Sequence, residues 1–140
     1  MEKYKPRFWH LLLSLPVAFL WFANLYAHHN RYSRSEQNIV ATKMDGILSY
    51  TLVEFEVPTE TLRVERHGPF ATTLYEDRGS DGLVERIFTL RTALFGETFE
   101  QLLLRENDLE NYPEAFARAD AALREQRERF RDYLRLPGAR

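Results

Sequence analysis

Val53-Glu54-Phe55-Glu56-Val57-Pro58 decides how the second half of this chain is read. Apolar and acidic residues alternate with a period of two, the signature of a strand with one face buried and one in water, and proline then ends the pairing run. The strand is predicted over Ile47 to Val57, directly after the turn signal Asp45-Gly46. Beyond Pro58, Leu62 and Val64 alternate with Arg63 and Glu65 in a second strand. His67-Gly68-Pro69 then turns the chain into a third, Phe70 to Tyr75, which is rich in threonine and aromatics. A meander of antiparallel strands is the economical arrangement.

The next segment, Leu83 to Thr92, fits two patterns. Leu83, Ile87, Leu90 and Leu94 have helical spacing and Gly96 could cap such a helix, but Val84, Ile87, Phe88, Thr89 and Thr92 are better strand formers, so a fourth strand is predicted. After Gly96, Phe99, Leu102 and Leu103 fall on one face of a predicted short helix that stops near Asn107-Asp108. Pro113 then opens a longer helix whose stripe Phe116, Ala119, Leu123, Phe130 and Tyr133 is narrow. The remaining surface is charged, with Asp120 and Arg124, and Glu125 and Arg129, at i,i+4 spacing.

Working towards the N-terminus, residues 28–44 are polar and read as a juxtamembrane connector. Before them, Phe8 to Ala27 holds twenty residues without a charge, which as a helix would span about 30 Å, the hydrocarbon thickness of a bilayer. Trp9 at one margin and Trp21 and Tyr26 at the other suit the lipid-water interface, and Pro16 is tolerated in a membrane helix. Residues 1–27 are therefore read as a membrane anchor, with a cleavable signal peptide as the alternative. Lys3, Lys5 and Arg7 against Arg31 and Arg34 favour a cytoplasmic N-terminus and a periplasmic or extracellular domain.

The predicted class is thus α+β: one N-terminal transmembrane helix, a β-rich region over 45–96 and a helical region of the same domain over 97–136. With 140 residues, a second globular domain is not expected. Charge is segregated. Residues 1–43 carry six Lys or Arg against two acids, 44–112 six Arg against fourteen, and 113–140 seven Arg against five. No domain-wide basic footprint results, so a nucleic-acid partner is not expected. Cysteine is absent, which excludes disulfides, thiolate nucleophiles and cysteine-based zinc sites.

The most motif-like segment is Asp77-Arg78-Gly79-Ser80-Asp81-Gly82-Leu83-Val84-Glu85. It resembles a degraded Asp-x-Asp-x-Asp-Gly loop of calcium-binding families, with Asp77, Asp81, Gly82 and Glu85 at positions one, five, six and nine. Gly79 replaces the second acid and Phe88 stands where an EF-hand needs its bidentate glutamate. The resemblance implies weak calcium binding through Asp77, Asp81 and Glu85. A hairpin turn that uses the same glycines and aspartates for backbone reasons is the competing reading.

No nucleophile elbow, phosphate loop or metalloprotease helix is present. Glu54, Glu56 and Glu65 could pair across strands as acid and base, although alternating acids on strands are usually a solvated face. The sequence therefore reads as a membrane-anchored, non-catalytic accessory or interaction protein, with no obligatory cofactor. Its partners would be the bilayer and another membrane or extracytoplasmic protein or a second copy, docked on the seam Phe116, Leu123 and Phe130. A calcium-binding module is the second reading and an enzyme of unfamiliar type the third.

Overall fold

A computed structural model describes residues 15–23, 31–92 and 98–134. Seven strands form one antiparallel sheet in sequence order: β1 (Tyr32–Arg34), β2 (Asn38–Met44), β3 (Tyr50–Glu56), β4 (Thr61–His67), β5 (Ala71–Asp77), β6 (Arg86–Arg91) and β7 (Phe99–Leu104). A single helical turn, α1 (Arg105–Asp108), and a long helix, α2 (Pro113–Arg129), follow. The class is α+β with an antiparallel meander, and the ambiguous segment after Leu83 is strand β6.

Register explains the core. Ala41, Val53, Val64, Tyr75, Ile87 and Leu103 stand opposite one another in a single row across β2 to β7, and Ile39, Phe55, Leu62 and Asp77 form the next row on the same face. Helix α2 lies over this face. Phe116, Ala119, Leu123 and Phe130 are each 0% exposed and belong to the same core cluster as Val53, Val64 and Val84. At one end of α2, Arg105 donates to Asp120 and lies over the Phe116 ring; at the other, Lys43 Nζ donates to the Arg129 carbonyl and Tyr133 packs on Tyr32. The helix therefore runs from the β7 side of the sheet to the β1–β2 side.

Three expectations are corrected. First, the predicted helix around Phe99, Leu102 and Leu103 is strand β7. Leucine is a good helix former, but six ladder pairs with β6 and the burial of Leu103 outweigh a preference of tenths of a kcal/mol per residue. The edge is blunted because Asp108 Oδ2 accepts the N–H of Leu104 at 2.8 Å. Second, the polar connector contains β1 and β2, and Ile39 and Ala41 are core residues. Ile39, Val40 and Thr42 are β-branched, a signal hidden by polar neighbours. Third, Phe116, Leu123 and Phe130 do not form an open seam, because the chain's own sheet covers them. A flat sheet face needs only a stripe of helix to cover it, so narrowness does not imply a separate partner.

No helix among the described residues is long and apolar enough to cross a membrane. Residues 15–23 are helical and include Pro16 and Trp21, while Trp9 and Tyr26 lie outside the described residues.

Candidate functional site

Because the sheet is a meander, its hairpin connections alternate between two ends about 20 Å apart, the length of a seven-residue strand. One end carries the β2–β3 and β4–β5 turns and the start of β7; the other carries the β1–β2, β3–β4 and β5–β6 connections. Exposed large apolar side chains gather at the first end: Ile47 and Leu48 in the β2–β3 turn, Phe70 in the β4–β5 turn and Phe99 at the start of β7. Between the helical residues 15–23 and the β2–β3 turn lies an open concavity of about 710 Å³, lined by Phe19, Phe22, Ala23, Met44, Asp45, Gly46 and Ile47. Leu15, Val17, Phe19, Leu20 and Trp21 are all exposed and take no part in the core.

At the opposite end sits the acidic loop. It leaves β5 at Asp77 and turns through three residues with positive φ, Gly79, Ser80 and Gly82. The backbone conformation at Gly79 and Gly82 is one that glycine adopts without a Cβ penalty. Gly82 N–H donates to Asp77 Oδ2 at 3.0 Å, Leu83 N–H to Asp81 Oδ1 at 2.9 Å, and Arg78 N–H to Glu85 Oε2 at 2.7 Å. These bonds are what the hairpin-turn reading requires. The folded loop also brings carboxylate oxygens of Asp77, Asp81 and Glu85 within 4.8 Å of one another. Asp77 is fully buried, Glu85 half-buried and Asp81 exposed. All three sequence-predicted ligands are thus brought together, and Phe88 lies beyond the loop within β6.

Two neighbouring carboxylates behave in opposite ways. Burial pushes the Glu76 carboxyl up, but hydrogen bonds from Arg78 and Arg63 and the charges of Arg86 and Arg78 outweigh it, leaving the pKa below the ordinary 4.5. For Asp77 burial wins: despite the Gly82 N–H, the nearby charges of Glu85 and Asp81 add to desolvation and raise its pKa above the ordinary 3.8. Arg127 Nη1 is 3.9 Å from Asp77 Oδ2 and is too distant to reverse this.

The arginine cluster around Glu76 escaped sequence reasoning, since Arg63, Arg86 and Arg78 come from β4, β6 and the β5–β6 connection. Glu54, Arg63, Glu76 and Arg86 stand opposite one another across β3 to β6, on the face away from α2. Arg63 Nε contacts Glu76 at 3.1 Å and its Nη1 contacts Glu54 at 3.7 Å. Glu54 therefore faces a cation across the ladder, and it does not meet Glu65 as an acid-base pair. A group whose folded pKa is depressed stabilises the fold above its unfolded pKa and loses that contribution as pH falls through the folded value. Glu76→Gln is accordingly expected to lower the melting temperature at pH 7 and to flatten its decline below about pH 4.5, the unfolded value of that carboxyl. Thermal melts between pH 7 and pH 3 check this, and parallel curves for wild type and variant would contradict it.

Comparison of the chain with protein-family models, curated proteins and solved structures finds no match.

Proposed function

We propose that this chain is a membrane-anchored, non-catalytic accessory or interaction protein, with its α+β domain outside the cytoplasm. The observation that supports this most is the gathering of exposed apolar side chains at one end of the sheet, beside the apolar helical residues 15–23. Exposed apolar side chains gathered at one end of a fold, unlike ones scattered singly, suit a membrane or partner surface. The uncharged run Phe8 to Ala27 has the length of a bilayer span, and a domain seated on its hairpin tips would place Ile47, Leu48 and Phe70 at the lipid-water interface.

With the stripe of α2 covered, contact with another protein falls to the opposite sheet face. There Leu52, Leu74 and Phe88 are half-buried and Leu102 is exposed, all in one cross-strand row interrupted by Glu65. The partner would be a membrane or extracytoplasmic protein or a second copy.

The full chain is expected to resist alkaline carbonate extraction, to keep Met1 in its mature form, and to carry a C-terminal reporter that works only outside the cytoplasm. A mature N-terminus at His28 would replace the anchor with a signal peptide. Release by carbonate of an intact chain would remove the membrane reading.

A further inference from the structure

Among the described residues three buried side-chain atoms have no hydrogen-bond partner: Asp77 Oδ1, Arg86 Nε and Gln126 Oε1. Of these, Asp77 Oδ1 is the one that belongs to a carboxylate, and that carboxylate is fully buried within a group of three acids. Buried carboxylate oxygens are ordinarily satisfied by a donor, an opposite charge or a cation, because an orphaned buried acceptor is costly. The donors nearby are engaged elsewhere. Gly82 N–H serves Oδ2, and Arg127 stands 3.9 Å from that same oxygen while reaching the Ser80 carbonyl at 3.4 Å. Arg78 and Arg63 are drawn to Glu76.

We infer that the β5–β6 loop is a cation site in which Asp77, Asp81 and Glu85 hold a calcium ion, with Asp77 Oδ1 as its buried ligand. This inference stands on the loop and is independent of the membrane reading. The donor set is oxygen only, which selects a hard cation over zinc or copper. Calcium fits better than magnesium. It accepts six to eight oxygens in irregular geometry, whereas magnesium demands near-ideal octahedral placement that three carboxylates on one short loop do not impose. Asp81 is exposed and a Cβ at Gly79 would meet nothing within 4 Å, so the outer side of the loop is open to water molecules that complete the shell. The missing twelfth-position carboxylate sets the strength. Affinity is expected in the range of about 10⁻⁴ to 10⁻³ M, that of weak extracellular modules.

The test uses the full chain in mild detergent, with calorimetric titration of calcium chloride and of magnesium chloride, and thermal melts with each ion. Wild type should bind one calcium per chain, melt at higher temperature in 5 mM calcium, and respond at least tenfold more weakly to magnesium. Asp81→Asn and Glu85→Gln keep the acceptors for the Leu83 and Arg78 N–H groups, so both should fold and each should weaken calcium at least tenfold. No heat and no melting shift up to 10 mM calcium would overturn the inference, as would binding unchanged in both variants. Asp77→Asn supplies the remaining arm. If the orphaned oxygen is held by a proton alone, this variant melts higher than wild type at pH 7 and calcium affects neither protein, which also overturns the site. Retained calcium binding in carbonate-extractable protein would leave the site standing while the anchor fell.

Discussion

Replacing Leu123 and Phe130 together by aspartate is expected to abolish cooperative folding. Both side chains are 0% exposed and lie in the cluster that joins α2 to the sheet. Truncating a buried leucine costs about 2 to 5 kcal/mol and a buried phenylalanine about 3 to 5. Two uncompensated carboxylates in the same place add several more, against a total stability of about 5 to 15 kcal/mol for a domain. The check is circular dichroism and size-exclusion chromatography of Arg31 to Arg140, a span that keeps all seven strands. A fragment beginning at Lys43 would lack Ile39 and Ala41 and so lose part of the core before any substitution was made. A double variant that still melts cooperatively, while losing self-association or a partner, would show that α2 docks outward.

The second large effect is expected at Asp120. Its Oδ1 accepts the Val84 N–H at 2.8 Å and Arg105 Nη2 at 2.5 Å, while Arg105 Nε donates to the Val84 carbonyl at 2.7 Å. Two donors from separate parts of the chain, the Val84 N–H and the Arg105 guanidinium, thus converge on one carboxylate, with Arg105 over the Phe116 ring. The two side chains are only 20% and 15% exposed, so neither partner is readily rehydrated when the other is removed. Asp120→Ala should cost about 3 kcal/mol, in the lower part of the range for breaking a buried ion pair, and lower the melting temperature by on the order of 10 °C. Arg124→Ala tests the alternative. The i,i+4 pairing of Asp120 with Arg124 would be an exposed contact worth about 0.3 to 0.5 kcal/mol, and a loss at Asp120 no larger than that would reject the tertiary role.

Asp120 and Arg129 illustrate why charge spacing along a helix misleads. Each has a plausible local partner four residues away, yet Asp120 reaches Arg105 and Arg129 reaches Asp45, 84 residues distant in the chain. An exposed helical pair contributes tenths of a kcal/mol, so any partner that tertiary packing presents in a more buried setting wins. The acidic loop shows the converse. Its trio of acids was legible because all three carboxylates lie within nine residues, and local turn chemistry brings them together. The burial of Asp77 and the orphaned Oδ1 were not legible, since they depend on the core row that continues from Leu62 and on the approach of α2.

Local pattern was enough to show that the chain from Val53 to Tyr75 is a meander, that a long helix begins at Pro113, and that the acids of the β5–β6 loop cluster. Period-two alternation, a proline at a helix start and glycines in a tight turn all act within a few residues. Tertiary structure alone decided that Phe99 to Leu104 is a strand, that Asn38 to Met44 joins the sheet, and that the stripe of α2 is interior. In each case the deciding energy is burial against residues far away in the chain. Neither the short segment Phe99-Glu100-Gln101-Leu102-Leu103-Leu104 nor a one-residue-wide stripe has a periodicity from which that partner can be read.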